Sequence, residues 1–365
     1  MKNLYSITKA LLLCLFLFSF NCIAYSQSHF VVISNIIQAG FEDANIFCQA
    51  YVNPLGKALA SDLSGGWYGS AQVHEAGGFD LTYNFHYSQT PNVDGSFDLS
   101  NIGLIAIRPV GVTLAPTITN GNDVTTTNVF YTNPNGGADI KLFDEDITIS
   151  GIDRSFGSPL PTFDIGFGIP FHTEIRARII PRSDFKDYGL LNLWGLGIKH
   201  EFSKWIPFLE EYKINASLLF AYSKLKMDAG LDYEPNAGFI ETSITLPENQ
   251  QFSLDASSFV TNLIISSRFS FISPYISGGF SRNNYEYKLL GTYYYALPNS
   301  NTGNFEILND DQHRMINPIT FTSDFGFKPQ FAIGVSLELV FLNIHAQYTI
   351  QEYNMFSAGI GISVR

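Results

Sequence analysis

From residue 77 onward the chain alternates. In GGFDLTYNFHYSQ (77–89), Phe79, Leu81, Tyr83, Phe85 and Tyr87 take every second position, and Asp80, Thr82, Asn84 and His86 fill the gaps. Successive side chains of an extended strand point to opposite faces, so one face is apolar and aromatic and the other polar. The pattern returns at Phe163–Ile169, Phe171–Ile179, Ile214–Lys224, Phe259–Phe271, Phe331–Leu339, Ile344–Ile350 and Phe356–Val364. Such segments number about a dozen and run about ten residues each, the length a tilted strand needs to cross a bilayer, whereas soluble strands run nearer five or six.

The connections sort by length. Short links fall near 169–171, 272–274 and 340–343, and long Asn/Gly/Thr-rich ones near 117–158, 227–251 and 291–328. With the last strand ending in the periplasm, counting backwards puts the long connections outside and the short ones inside, as in outer-membrane barrels. The count closes at twelve when RPVG (108–111) is read as a periplasmic turn followed by a strand at 110–116. A hairpin within 136–152 would make it fourteen. A secreted β-sandwich also alternates, but its strands are shorter and its links do not sort by side.

Before the strands the period is helical. Ile33, Ile36, Ile37, Phe41, Ala44, Phe47 and Tyr51 predict a helix over 33–51, and the Pro and Gly of 53–68 predict an irregular or partly helical stretch. The chain opens with a basic n-region (Lys2, Lys9), an apolar run (Ala10–Phe20) and Ala24-Tyr25-Ser26, which reads as a signal peptide cleaved after Ser26. The expected organisation is a signal peptide at 1–26, a helical plug or cap at 27–75 and a barrel at 76–365. The fold class is all-β: a transmembrane antiparallel up-and-down barrel of 12–14 strands.

Composition agrees with that class. Aromatic residues make up 15 % of the chain and charged residues also 15 %, well under the roughly 25 % charge of soluble domains. The net charge of −12, or −14 once Lys2 and Lys9 leave with the signal, argues against nucleic acid as a partner. Cys14 and Cys22 leave too, and Cys48 remains as a lone, inert thiol.

GGWYGSAQVHEAGGFDLTY (65–83), GIPFHTEIRARIIP (168–181) and GLGIKHEFSKWIPFLEEYKINASLLFAYSKL (195–225) resemble an outer-membrane barrel family of unknown function found in Bacteroidota. The resemblance runs over nearly the whole mature chain and implies fold and location without chemistry. VNPLGKAL (52–59) more loosely resembles the Asn-Pro-Ala plug element of FadL-type fatty-acid transporters, with Leu55 in place of the small residue. That likeness marks Asn53, Pro54 and Lys57 as plug residues.

If the apolar faces meet lipid, Asp80, His86, His172, Glu174, Arg176, Arg178, Lys199 and Arg268 line the lumen. Glu174, Arg176 and Arg178 lie about 6.5 Å apart along one strand. Two readings stand for that ladder: a field that selects solutes by charge, or a network tying strand to strand and holding a plug. Trp205 and Phe208 are expected as interfacial anchors on the periplasmic side or as packing against the barrel end, and GTYYYALP (291–298) as an outer aromatic girdle. No nucleophile-elbow or zinc-protease motif and no close His/Cys ligand set occurs, so neither enzyme, metal nor cofactor is expected. The expected function is an outer-membrane channel or transporter for a small solute, hydrophobic ones included. The alternative is a non-catalytic component of a secretion or cell-surface assembly, with protein partners at the outer loops and membrane lipid around the wall.

Overall fold

The computed structural model describes residues 32–33, 36–37 and 40–364, apart from 122, 133–138, 142–146, 152–157, 186–188, 232, 234–248, 299–304 and 309–310. The expected signal segment lies outside the described residues. Ten strands form one closed antiparallel ring, each paired with its neighbours in this sequence. They are β1 (Phe79–Ser88), β2 (Ser158–Ile169), β3 (Thr173–Phe185), β4 (Gly189–Glu201), β5 (Ile214–Gly230), β6 (Gln251–Ser267), β7 (Ile272–Leu290), β8 (Ile319–Leu339), β9 (Leu342–Ile350) and β10 (Met355–Val364). The seam closes with Phe79 opposite both Val364 of β10 and Phe167 of β2. Closure leaves no free edge, which suits a sheet whose outside offers no hydrogen-bonding partner.

The ring has ten strands rather than twelve or fourteen. Residues 107–111 pair with 127–131 in a small separate sheet, together with 140–141 and 147–150. RPVG is therefore strand rather than turn, and the chain leaves one end of the barrel after Ser88 and rejoins the wall at that same end at Ser158. The cap strand 124–131 alternates too, with Val124 exposed and Thr125, Thr127 and Val129 buried, so the pattern alone does not separate cap from wall. The turns 170–172, 268–271 and 340–341 share the end that holds Phe79 and Val364, here the short-turn end, with the longer connector 202–213. The long connections from β1 to β2, from β5 to β6 and from β7 to β8 share the opposite, long-loop end, where the four-residue link 351–354 also lies.

Burial follows the alternation. On β1 Asp80, Thr82, Asn84, His86 and Ser88 are buried, while Phe79, Leu81 and Phe85 are exposed. Leu196, Ile276, Phe331 and Ile333 continue this apolar outer belt around the ring.

The N-terminal segment fills the ring. Helix α1 (Phe41–Ser64) presents Phe47, Tyr51, Leu55, Leu59 and Leu63 at four-residue steps. These pack with Leu225, Phe252, Leu254, Tyr285, Tyr287 and Leu289 of the wall. The helix runs through Pro54 to Ser64, beyond the predicted end, because this enclosed apolar stripe outweighs a proline's cost of about 3 kcal/mol. The same core continues into the cap through Ile107, Ile118, Val129, Ile147 and Ile149. The first-turn acid Asp43 accepts from the backbone N–H groups of Ile105, Ala106 and Ile107 at 2.5–2.8 Å. Tyr293 and Tyr294 are buried in this cap region, and Tyr295 packs edge-on to Phe41 at 4.7 Å, so the 291–298 segment is core rather than an outer girdle.

Helix and wall approach closely at Gly56, where an added Cβ would lie 2.2 Å from Tyr287 Oη and 2.7 Å from the Tyr285 ring. Gly56→Leu is expected to cost about 1–3 kcal/mol by overpacking. The measurement is the temperature at which the folded electrophoretic mobility in detergent is lost. Gly230→Leu, with nothing within 4 Å of its Cβ position, serves as the control and should shift it little.

Candidate functional site

Below α1 the chain descends the ring as an extended strap, residues 65–78, then reverses at Gly77 (φ 93°) into β1. Polar wall side chains grip it at three levels.

The first level lies under the helix C-terminus. No basic residue sits in the last turn of α1, and Arg178 of β3 supplies the missing cation from the wall. Its Nη1 donates to Gly65 O at 2.8 Å and Leu63 O at 3.3 Å. Its other face makes a bidentate pair with Asp164 of β2 at 2.8 and 2.9 Å. The guanidinium carbon lies 4.2 Å from the Trp67 ring centroid. Arg178 and Asp164 have no exposed side-chain surface. Trp67 fits because Gly195 and Gly197 of β4 face inward; a Cβ there would meet its ring at 3.0 and 3.2 Å. His86 bonds Ser357 Oγ at 3.0 Å and Thr162 Oγ1 at 3.1 Å, and Gly66 (φ 67°) passes where a Cβ would strike the imidazole at 2.2 Å.

The second level holds Tyr68. Its hydroxyl lies 2.5 Å from Ser277 Oγ and accepts from Asn262 Nδ2 at 3.2 Å, and its ring packs edge-on to Tyr275.

The third level, at the short-turn end, is an ion-pair clamp. Arg176 donates to Asp80 at 3.0 and 3.1 Å and to Glu174 at 2.6 Å. Lys199 lies 3.4 Å from Glu174 and donates to the strap carbonyl of Gln72 at 2.9 Å. Glu174 accepts from the His74 N–H and Glu201 from the Val73 N–H, both at 3.1 Å. His74 Nε2 is 2.7 Å from Asp80 Oδ2. A cavity of about 40 Å³ remains beside the clamp, room for little more than a water or two.

A model of DUF6588, a family of unknown function, matches residues 1–364. The chain belongs to this family. No curated protein matches it. Among solved structures, this DUF6588 chain is similar to the translocator domain of autotransporter NalP from Neisseria meningitidis (10 % identity over 80 % of this chain and 89 % of that one, TM-score 0.30). It is also similar to the outer membrane protease OmpT from Escherichia coli (8 %, 79 % and 92 %, 0.29) and the toluene transporter TodX of Pseudomonas putida (9 %, 86 % and 96 %, 0.23). At these scores the likeness bears on no question of function.

The DUF6588 clamp brings His74, Asp80 and Glu174 ligand atoms within 4.8 Å of one another. Arg176 pairs with both carboxylates and Lys199 with Glu174, so the group is held as an ion-pair lock. Of the residues expected to line the lumen, Asp80, His86, Glu174, Arg176, Arg178 and Lys199 do face it and are buried. His172 and Arg268 do not. His172 sits exposed in the 170–172 turn (φ 53°), packed edge-on to Trp205 at 6.0 Å. Arg268 sits in the next turn, 3.3 Å from Glu338, because the ladder of β6 ends at Ser267. Asn53, Pro54 and Lys57 lie in α1, and Lys57 pairs with Asp94 at 3.1 Å across the helix–cap junction. Trp205 and Phe208 are exposed at the short-turn end, beside or within helix α2 (Pro207–Glu211). Cys48 is half-buried on α1, and burial pushes its thiol up, away from the reactive thiolate. Asp164, Glu201, Trp67 and Tyr68 complete the site; the first two share the inward parity of Gly166 and Lys199.

Arg178→Met strands the Asp164 charge, and the expected cost is about 3–5 kcal/mol. Adding Asp164→Leu should recover most of it. Urea unfolding in lipid vesicles measures both, and equal losses in the single and double variants would contradict the pairing.

Proposed function

We propose that this protein is an outer-membrane β-barrel, its short-turn end in the periplasm, shut by its own N-terminal segment and acting as a non-catalytic component at the cell surface. The apolar outer belt and the gathering of the three longest connections at one end support the membrane placement. One observation carries the functional reading: a single apolar core runs from the lumen through α1 into the folded cap. Among the described residues the lumen is filled from Phe47 to His74, so the elaborated surface is the cap.

A second reading, passage of a small polar solute, is favoured by the strap. Its three grips are hydrogen bonds and ion pairs that water can replace, unlike the apolar seat of α1. The upper lumen, where a hydrophobic solute would pass, is occupied by α1.

Planar-bilayer conductance combined with crosslinking in cells separates the two. Crosslinker placed at exposed cap positions (Val112→Cys, Leu114→Cys) is expected to give a stoichiometric protein adduct, with no conductance from the purified barrel. Steady conductance without any adduct would overturn the surface-component reading in favour of passage. For the membrane placement, Leu196→Arg on the outer belt should cost about 2–4 kcal/mol in vesicle unfolding if it lies near the bilayer midplane. A cost near zero would contradict the belt.

A further inference from the structure

At the mouth of the short-turn end, between the 202–213 connector and the 268–271 turn, lies a cavity of about 390 Å³. Ser203, Lys204, Lys213, Asn215, Arg268 and Ser270 line it, with Glu210 as the acid among them. Three cations against one acid is unusual in a chain of net charge −12. Glu338 pairs with Arg268, but among the described residues no ion pair joins Lys204 or Lys213 to an acid. Gln72 of the strap borders the same cavity. Two connecting positions here, Lys213 (φ 55°) and Ser270 (φ 59°), hold left-handed backbone outside glycine. Trp205, Phe208 and Tyr212 stand exposed along the same connector, and Phe269 on the turn.

We infer that this mouth binds the headgroup of an anionic phospholipid from the adjacent leaflet. Lysine ammonium groups and Arg268 meet the phosphodiester, as point charges and a donor fork. The exposed aromatics flank the acyl chains, where rings with one apolar and one polar side favour the membrane–water boundary. The site stands at the opposite end from the cap and does not depend on what the cap binds, though it does rest on the membrane placement.

The test is native mass spectrometry of the full barrel in zwitterionic detergent, titrated with phosphatidylglycerol or with phosphatidylcholine of the same chains. One tightly held phosphatidylglycerol per barrel is expected, with phosphatidylcholine at least tenfold weaker. The exposed-site variant Lys204→Ala/Lys213→Ala should lose at least tenfold in phosphatidylglycerol affinity while keeping its folded electrophoretic mobility. Equal binding of the two lipids by the wild type, or unchanged binding by the lysine variant, would overturn the site. Displacement of the lipid by millimolar glycerol 3-phosphate would assign the cavity to a soluble phosphate ester and overturn the lipid assignment.

Discussion

A closed ring of ten strands has an inside that must be filled, and in this chain what fills it is also what makes the wall tolerable. Asp80, Asp164, Glu174, Arg176, Arg178, Lys199 and Glu201 all point inward with almost no access to water. Buried charges without partners cost several kcal/mol each. Here they meet one another and the backbone of residues 63–74, whose carbonyls and N–H groups would themselves be orphaned in a narrow lumen. Wall and strap satisfy each other, and neither arrangement makes sense alone.

The two halves of the lumen are held by different physics. At the long-loop end the seat of α1 is apolar, and it is continuous with the core of the cap, so helix and cap form one packed body. At the short-turn end the strap is held by directional bonds between charged groups and backbone. The turning point is Arg178, which ends the helix electrostatically, pairs with Asp164 and stacks on Trp67. That change of character is why the shut barrel and the conditional passage are both testable readings of one structure.

Much of this was legible in the alternation. Strict period two placed Asp80, His86, Glu174, Arg176, Arg178 and Lys199 on the inward face, because parity within a strand is fixed by the pleat. Parity also contained Asp164 and Glu201, one residue pair away from positions already singled out. It failed where the ladder stops. His172 and Arg268 keep the alternating pattern for a residue or two past the last paired position, and only the turn conformation moves them out. The strand count failed for a related reason: strands of the small cap alternate like the wall, so period two counts them with it. Trp67 and Tyr68 carried no periodic signal. The small inward pair Gly195 and Gly197 is the mark a large lumen side chain leaves on the wall.

The route of the chain sets the order in which this molecule is put together. Phe41 packs against Tyr295 among the long loops, while the strap reaches the opposite mouth before β1 begins. The seam is between the first strand and the last, so the ring is sealed only when β10 pairs with β1. A 24-residue helix already docked to a folded cap does not thread through a finished hoop. It is enclosed as the hoop shuts, which makes the C-terminal strand the bolt on a door that has to be closed around its occupant.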